Sequence, residues 1–138
     1  FLDLISLVAP IGIFFGRIAN FINSELYGRE TDLFWGVKFP KVDDLYRHPS
    51  QIYEAIFEGV ILFIILNFLH MKDKFKTPGL ISSMFLIFYS LFRIFTEIFR
   101  EPDNQIGYIL FHFSLGQLIS FVFLIFGFFL YFKKHEKE

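Results

Sequence analysis

Four apolar runs, near residues 2–17, 52–69, 80–99 and 113–132, occupy most of the 138-residue chain. Each fits, or nearly fits, the roughly 20 residues that an α-helix needs to cross a hydrocarbon core of about 30 Å. One such run is compatible with the central helix of a soluble domain. Four are not, because the charged residues, 20% of the chain, gather in short stretches between them and cannot cover a water-facing surface. The runs are continuous instead of alternating over about ten residues, which disfavours a β-barrel. The predicted fold class is all-α, a polytopic transmembrane helical bundle with a small extracytoplasmic excursion over 24–49. The first run starts at residue 1 with no basic leader or small-residue cleavage site, so it reads as an element that begins upstream and not as a signal peptide.

Lysines and arginines in short loops predict the orientation. Lys72, Lys74 and Lys76 follow the second run and Lys133, Lys134 and Lys137 follow the fourth, which assigns both places, and so the C-terminus, to the cytoplasmic side. Parity then places 24–49 and 100–112 outside. Arg29, Lys38, Lys41 and Arg47 also lie in the outer excursion, but Glu25, Glu30, Asp32, Asp43 and Asp44 accompany them. Alternation of Leu33, Trp35 and Val37 with Phe34, Gly36 and Lys38 predicts a short strand within 31–39. Phe34, Trp35 and Tyr46 suit interfacial anchoring equally well. A net charge of −1 offers no basic footprint for nucleic acid. With no cysteine the chain has neither a disulfide framework nor a thiol nucleophile, and no spacing of histidines and carboxylates makes a metal site. No cofactor is expected.

Polar residues inside apolar runs are expensive and therefore informative. Arg17, Asn20, Asn23 and Glu25 fall where the first run ends, with Gly16, Asn20 and Asn23 near one helical face and Gly28 suited to a turn or close approach. The grouping can bind an anionic head group; snorkelling and helix capping would also explain it. In the third run Tyr89, Arg93 and Glu97 recur every four residues, so Arg93 and Glu97 can pair, and the stripe continues to Arg100 and the turn at Glu101, Pro102 and Asp103. The second run opens with His48, Pro49, Ser50, Gln51, Ile52, Tyr53 and Glu54 and continues to Glu58. Ser50 is a candidate cap. Glu54 and Glu58 would repel unless protonated, separately paired or wet, and His48 is a cap, a supporting residue or a proton carrier. Asn67 and Gln117 read as helix-packing amides. Converging arginines suggest a lateral site for an anionic amphiphile, whose competing interpretation is a transporter or channel fragment for the same kind of molecule.

Three stretches carry a further signal: Gly16-Arg-Ile-Ala-Asn-Phe-Ile-Asn-Ser-Glu-Leu-Tyr-Gly28, His48-Pro-Ser-Gln-Ile-Tyr-Glu54, and the segment from Tyr89 to Asp103. In this order they closely resemble the motifs of the prolipoprotein diacylglyceryl transferase family of the bacterial inner membrane. Ala19 stands where that signature commonly has glycine. The resemblance implies a seven-helix fold of which residues 1–138 supply the C-terminal half, with the remaining half as a necessary partner. It further implies transfer of diacylglyceryl from phosphatidylglycerol to the lipobox cysteine of a prolipoprotein, which explains how a chain without cysteine takes part in thiol chemistry. Arg17, Asn20, Glu25, Arg93 and Glu97 then match catalytic positions. Arg17, Asn20, Gly28, Tyr89, Arg93 and Arg100 match substrate-binding ones, with His48 and Glu54 supporting them. Arg17 and Arg93 are expected to stabilise phosphate charge, Asn20 to orient the head group, and Glu25 and Glu97 to hold those donors. The histidine of the family's His-Gly-Gly motif has no counterpart in this sequence, so the 138 residues alone are expected to be inactive.

Overall fold

A computed structural model describes residues 1–101, 108–110 and 113–136. Four long helices account for most of them: α1 (Leu2–Ile22), α2 (Ser50–His70), α3 (Leu80–Glu97) and α4 (Leu115–His135). All four are long and apolar enough to cross a membrane, and much of their apolar surface faces outward, including Leu4, Phe15, Ile64, Phe68, Val122 and Ile125. Such faces would be a liability in water but suit lipid. The chain is thus a polytopic helical bundle. Pro102, Asp103, His112 and Lys137, which bear on the outer turn, the outer loop and the basic tail, lie outside the described residues.

The apolar runs and the helices differ at their ends. α1 continues past residue 17 to Ile22, because Arg17 is held by carboxylates of a neighbouring helix and need not leave the helix for solvent. At the other extreme, Phe113–Ser114 are not helical: they form β4, paired antiparallel with β3 (Tyr108–Leu110), and α4 starts only after them. The strand predicted within 31–39 shrinks to β1 (Val37–Lys38), which pairs antiparallel with β2 (Tyr46–Arg47) in the register Val37 to Arg47 and Lys38 to Tyr46.

An apolar core and small residues set the packing. Leu7 of α1, Leu62 and Leu66 of α2, and Ile81, Met84 and Ile87 of α3 make the buried apolar core. Gly127 of α4 approaches α3 so closely that a Cβ there would lie 3.0 Å from Ile87 Cγ1 and Leu86 Cβ. This is the close small-residue packing on which helix association in lipid relies. Of the two amides expected to pack helices, Gln117 Nε2 donates across to the Ile94 carbonyl, whereas Asn67 Nδ2 donates to Phe63 within its own helix.

At the lysine-bearing end, Asp3 caps a helix other than its own. Its carboxylate accepts from the Gly79 and Ser82 backbone N–H groups at 2.9 and 3.0 Å and from Ser82 Oγ at 2.6 Å. The first N–H groups of a helix have no intrahelical partner, and Gly79, the cap of α3, has φ 94°, so an external carboxylate completes this terminus. Asp3→Ala is expected to destabilise the bundle by about 1 kcal/mol, as for loss of a helix cap. Thermal unfolding in detergent checks this, with Asp3→Asn, which keeps one acceptor, falling in between.

Candidate functional site

The central segment of α2 is a π-helix, Ala55–Ile61, flanked by the α-helical turns Ser50–Glu54 and Leu62–His70. Such segments interrupt the regular ladder and recur where side chains must be re-aimed. Gly59 lies within it, and a Cβ at that position would stand 2.7 Å from Phe14 Cβ, so only glycine lets α1 come this near. The approach places Arg17, one turn beyond Phe14, against Glu54 and Glu58.

Arg17 Nε lies 2.9 Å from Glu54 Oε2 and 3.6 Å from Glu58 Oε2. From the opposite side, Arg93 Nη1 lies 3.2 Å from Glu54 Oε1 and 3.7 Å from Glu58 Oε1, while its Nη2 reaches Glu97 Oε2 at 3.0 Å. Arg100 Nη1 joins the same Glu97 oxygen at 3.6 Å. Glu54 is therefore a bridge between guanidiniums from two other helices, and Glu97 a second bridge from Arg93 to Arg100. Tyr89, stacked on Phe85 with ring centroids 5.5 Å apart, faces the Arg17 guanidinium. On α4, Gly116 leaves room for Glu97: a Cβ there would sit 3.1 Å from Glu97 Oε1.

Burial divides these groups by what they can touch. The Glu54 and Glu58 side chains have zero exposure, whereas those of Arg17 and Arg93 retain 16% and 11%. The carboxylates can act only through the arginines, and the arginines can meet an anion. Planar guanidiniums with several donors suit a phosphate better than a lysine would. Charge of this kind in a helical bundle is retained at the expense of stability, since buried ion pairs seldom repay their desolvation.

The signature loop after α1 is strapped to this assembly. Ser24 and Leu26 have φ of 58° and 53°, in the left-handed region that side chains disfavour. Gln51 Nε2 donates to the Glu25 carbonyl at 2.8 Å, and Ser50 Oγ donates to the Leu26 carbonyl at 3.4 Å, so the first turn of α2 holds both peptides. Ser50 thus ties down the loop and does not cap its own helix, whose first turn has no side-chain cap. Gly28 is buried and forms an isolated antiparallel bridge with Arg100, pinned by Arg29 N–H to the Phe99 carbonyl at 2.8 Å and Glu101 N–H to the Tyr27 carbonyl at 3.1 Å. Its neighbours are the His48 carbonyl, His48 Cβ and the Phe99 carbonyl, which makes it a packing glycine in this chain.

Further out, Trp35 Nε1–H donates to the Tyr53 hydroxyl at 2.6 Å, and that hydroxyl lies 3.0 Å from His48 Nδ1. Burial holds the His48 imidazole below its usual pKa, so it is neutral at pH 7. Together with Leu33, Phe57, Phe95 and Phe99 these rings line a groove of about 210 Å³. Arg47, buried beside Gly28, donates to the Gly28 carbonyl and pairs with Asp43 at 2.7 Å, an interaction that holds the Asp43 carboxyl below the ordinary range.

The structure thus brings together Arg17, Tyr89, Arg93, Glu97, Arg100 and Glu54. Asn20 is half-buried one helical turn from Arg17, and its carbonyl accepts from Glu25 N–H at 2.8 Å. Glu25 does not hold the arginines as expected: its side chain is exposed, and Glu54 and Glu58 occupy that role because α2, not the loop, packs against Arg17. Glu58 and Thr96 are the site's additions. Glu58 carried a signal, its spacing of four from Glu54, but no local pattern shows which helices supply the cations.

Residues 1–133 match the family model described as prolipoprotein diacylglyceryl transferase. The chain is 54% identical over 136 residues to the phosphatidylglycerol--prolipoprotein diacylglyceryl transferase of Rickettsia akari (strain Hartford), covering 98% of this chain and 52% of that protein. It is 56% identical over 132 residues to the protein of the same description from Rickettsia bellii (strain OSU 85-389), covering 95% and 50%. The chain spans about half the length of the curated relatives it matches. On this similarity, joined to three motifs that meet in one buried cluster, the chain belongs to the prolipoprotein diacylglyceryl transferase family.

Proposed function

We propose that this chain supplies the phosphate-facing wall of an enzyme that transfers the diacylglyceryl group of phosphatidylglycerol to the lipobox cysteine of a prolipoprotein. The observation that carries the reading is the pair Arg17 and Arg93, from two different helices, bridged by the wholly buried Glu54 and each still partly exposed. In the reaction the acceptor sulfur forms a C–S bond to the glyceryl carbon, and the bond from that carbon to the phosphate oxygen breaks. The electron pair leaves with glycerol phosphate, and the thiol proton goes to a base. Negative charge grows on the leaving phosphate, and fixed guanidiniums aimed there stabilise the transition state more than the ground state. Asn20 orients the head group, Arg100 extends the cationic surface, Tyr89 supports Arg17, and Glu25 and Gly28 belong to the signature loop. His48 and Glu54 support the contact residues, Glu54 by fixing both arginines.

Residues 1–138 form, on this reading, one piece of a single seven-helix domain, with the excursion over 24–49 and the arginine cluster facing the extracytoplasmic side of the inner membrane and the C-terminus in the cytoplasm. The base that takes the thiol proton lies in the part of the protein outside this sequence. The 138 residues alone are therefore expected to be inactive.

The test is thioether formation from phosphatidylglycerol and a lipobox peptide by the full-length protein in lipid nanodiscs. Product with stoichiometric glycerol phosphate supports the reading; absence of both overturns it. Arg17→Ala is expected to lower kcat/KM for the donor by about 100-fold, the size of a lost preorganised charge contact. Preserved turnover would leave Arg17 a structural counter-charge to Glu54 and Glu58.

A further inference from the structure

Glu58 is buried in an apolar span, and the reaction described above names Glu54 but not Glu58 among the groups that support its contact residues. It faces Arg17 from α1, Arg93, Tyr89 and Thr96 from α3, and Glu54 from its own helix. Its two oxygens divide between the arginines, Oε2 toward Arg17 Nε at 3.6 Å and Oε1 toward Arg93 Nη1 at 3.7 Å. Thr96 Oγ1 lies 3.4 Å from the same Oε1, and that hydroxyl also lies 2.9 Å from the Phe92 carbonyl of its own helix. Both Glu58 and Thr96 are wholly buried.

A group with no exposure cannot meet the substrate, so any effect on chemistry passes through the arginines. Glu54 and Glu58 address the same nitrogen of each arginine, Nε of Arg17 and Nη1 of Arg93, while Nη2 of Arg93 is held separately by Glu97. The second carboxylate seats each of these nitrogens between two acceptors and gives Arg17 and Arg93 a second common partner, which limits how far either can drift from the other. The π-helical segment starts immediately after Glu54 and contains Glu58, while Gly59 next to it lets α1 come close enough for Arg17 to reach both.

We propose that Glu58, held by Thr96, is a positioning residue that sets the spacing of Arg17 relative to Arg93 so that both meet one phosphate. This deepens the transferase reading and rests on it for the identity of the phosphate.

Kinetics and direct binding on the full-length protein test it. Glu58→Gln keeps the shape and removes the charge. It is expected to lower kcat/KM for phosphatidylglycerol about tenfold, the worth of one charge-assisted contact, through a higher donor KM and a lower kcat together, with the KM for lipobox peptide changed less than about threefold. Thr96→Val should shift the donor KM in the same direction by a smaller factor, and Thr96→Ser, which restores the hydroxyl, should return it to the parent value. The Kd for short-chain phosphatidylglycerol, measured without acceptor, should rise in parallel and does not depend on turnover. A parent that forms thioether while Glu58→Gln leaves both donor KM and Kd unchanged overturns the proposal and spares the transferase reading. An equal loss toward donor and acceptor, with a lowered melting temperature and no rescue by Thr96→Ser, makes Glu58 purely structural and overturns it as well. A parent that forms no thioether overturns the transferase reading, while the donor Kd still decides whether Glu58 positions the arginines.

Discussion

Arg93→Ala should reduce donor turnover by the full-length protein at least about 100-fold and also lower its thermal stability, and the two losses have different origins. The catalytic loss follows from removing one of two guanidiniums that can face a phosphate. The stability loss follows from what the mutation leaves behind. Arg93 is within 3.2 Å of Glu54 and 3.0 Å of Glu97 and within 3.7 Å of Glu58, and all three carboxylates are buried. Without it, Arg17 is the remaining guanidinium at Glu54 and Glu58 among the described residues, and Glu97 loses its 3.0 Å contact. Breaking a buried pair from one side typically costs about 3–5 kcal/mol, far more than the pair contributes against an apolar replacement. Arg93→Lys separates the effects. A lysine restores one positive charge but has no planar fork with which to address Glu54 and Glu97 together, so it should recover much of the melting temperature and little of the turnover. Equal recovery of both would show that charge alone, not the geometry of the fork, is what this position supplies.

That contrast also explains why some of the site was legible in the sequence and some was not. The i,i+4 relation of Arg93 to Glu97 is local, and the pair forms at 3.0 Å as the spacing predicts. Arg17, by contrast, finds its carboxylates about forty residues away on α2, and nothing in its own stretch distinguishes Glu54 and Glu58 from the nearby Glu25. The repulsion expected between Glu54 and Glu58 was a usable clue. It demanded that they be separately paired, protonated or wet, and here guanidiniums lie on both sides. The π-helix left no such trace, because an apolar run reads the same whether its backbone bonds skip four residues or five. Helix ends depart from the ends of the apolar runs for a related reason. The first run seems to stop at Arg17 only if arginine must reach solvent, whereas a partner inside the bundle lets the helix carry on to Ile22. At Phe113–Ser114 the difference has the opposite sign, since hydropathy alone cannot tell a strand that precedes a helix from the helix itself.

Gly28→Ala should lower activity at least about tenfold, although Gly28 has no side chain with which to touch a substrate. A Cβ at this position would lie 2.9 Å from His48 Cβ and 2.9 Å from the Phe99 carbonyl oxygen, and would overlap the His48 carbonyl. Two of these three neighbours are backbone atoms, held by the hydrogen bonds from Arg29 N–H to Phe99 and from His48 N–H to Arg29, both 2.8 Å, and neither can swing aside as a flexible side chain would. The methyl must therefore push the start of α2 away from the end of α3. Glu54 is carried by the first and Glu97 and Arg100 by the second, so the strain spreads into the arginine bridges: Arg93 holds both Glu54 and Glu97, and a shift of a few tenths of an ångström lengthens one contact or the other. Overpacking of this kind costs about 1–3 kcal/mol, and turnover should fall by at least about tenfold if, as proposed, the displaced groups set phosphate geometry. Gly36→Ala is the matched control. Its Cβ would meet Thr31 Cγ2, the Leu33 carbonyl and Tyr46 Cβ at 3.1–3.3 Å, looser contacts than those at Gly28 and away from the bridge between Gly28 and Arg100. Melting temperatures and donor kinetics of the two variants, measured side by side, should therefore diverge. If both lose activity alike, the excursion as a whole governs the site, and the strap at Gly28 has no special part in it.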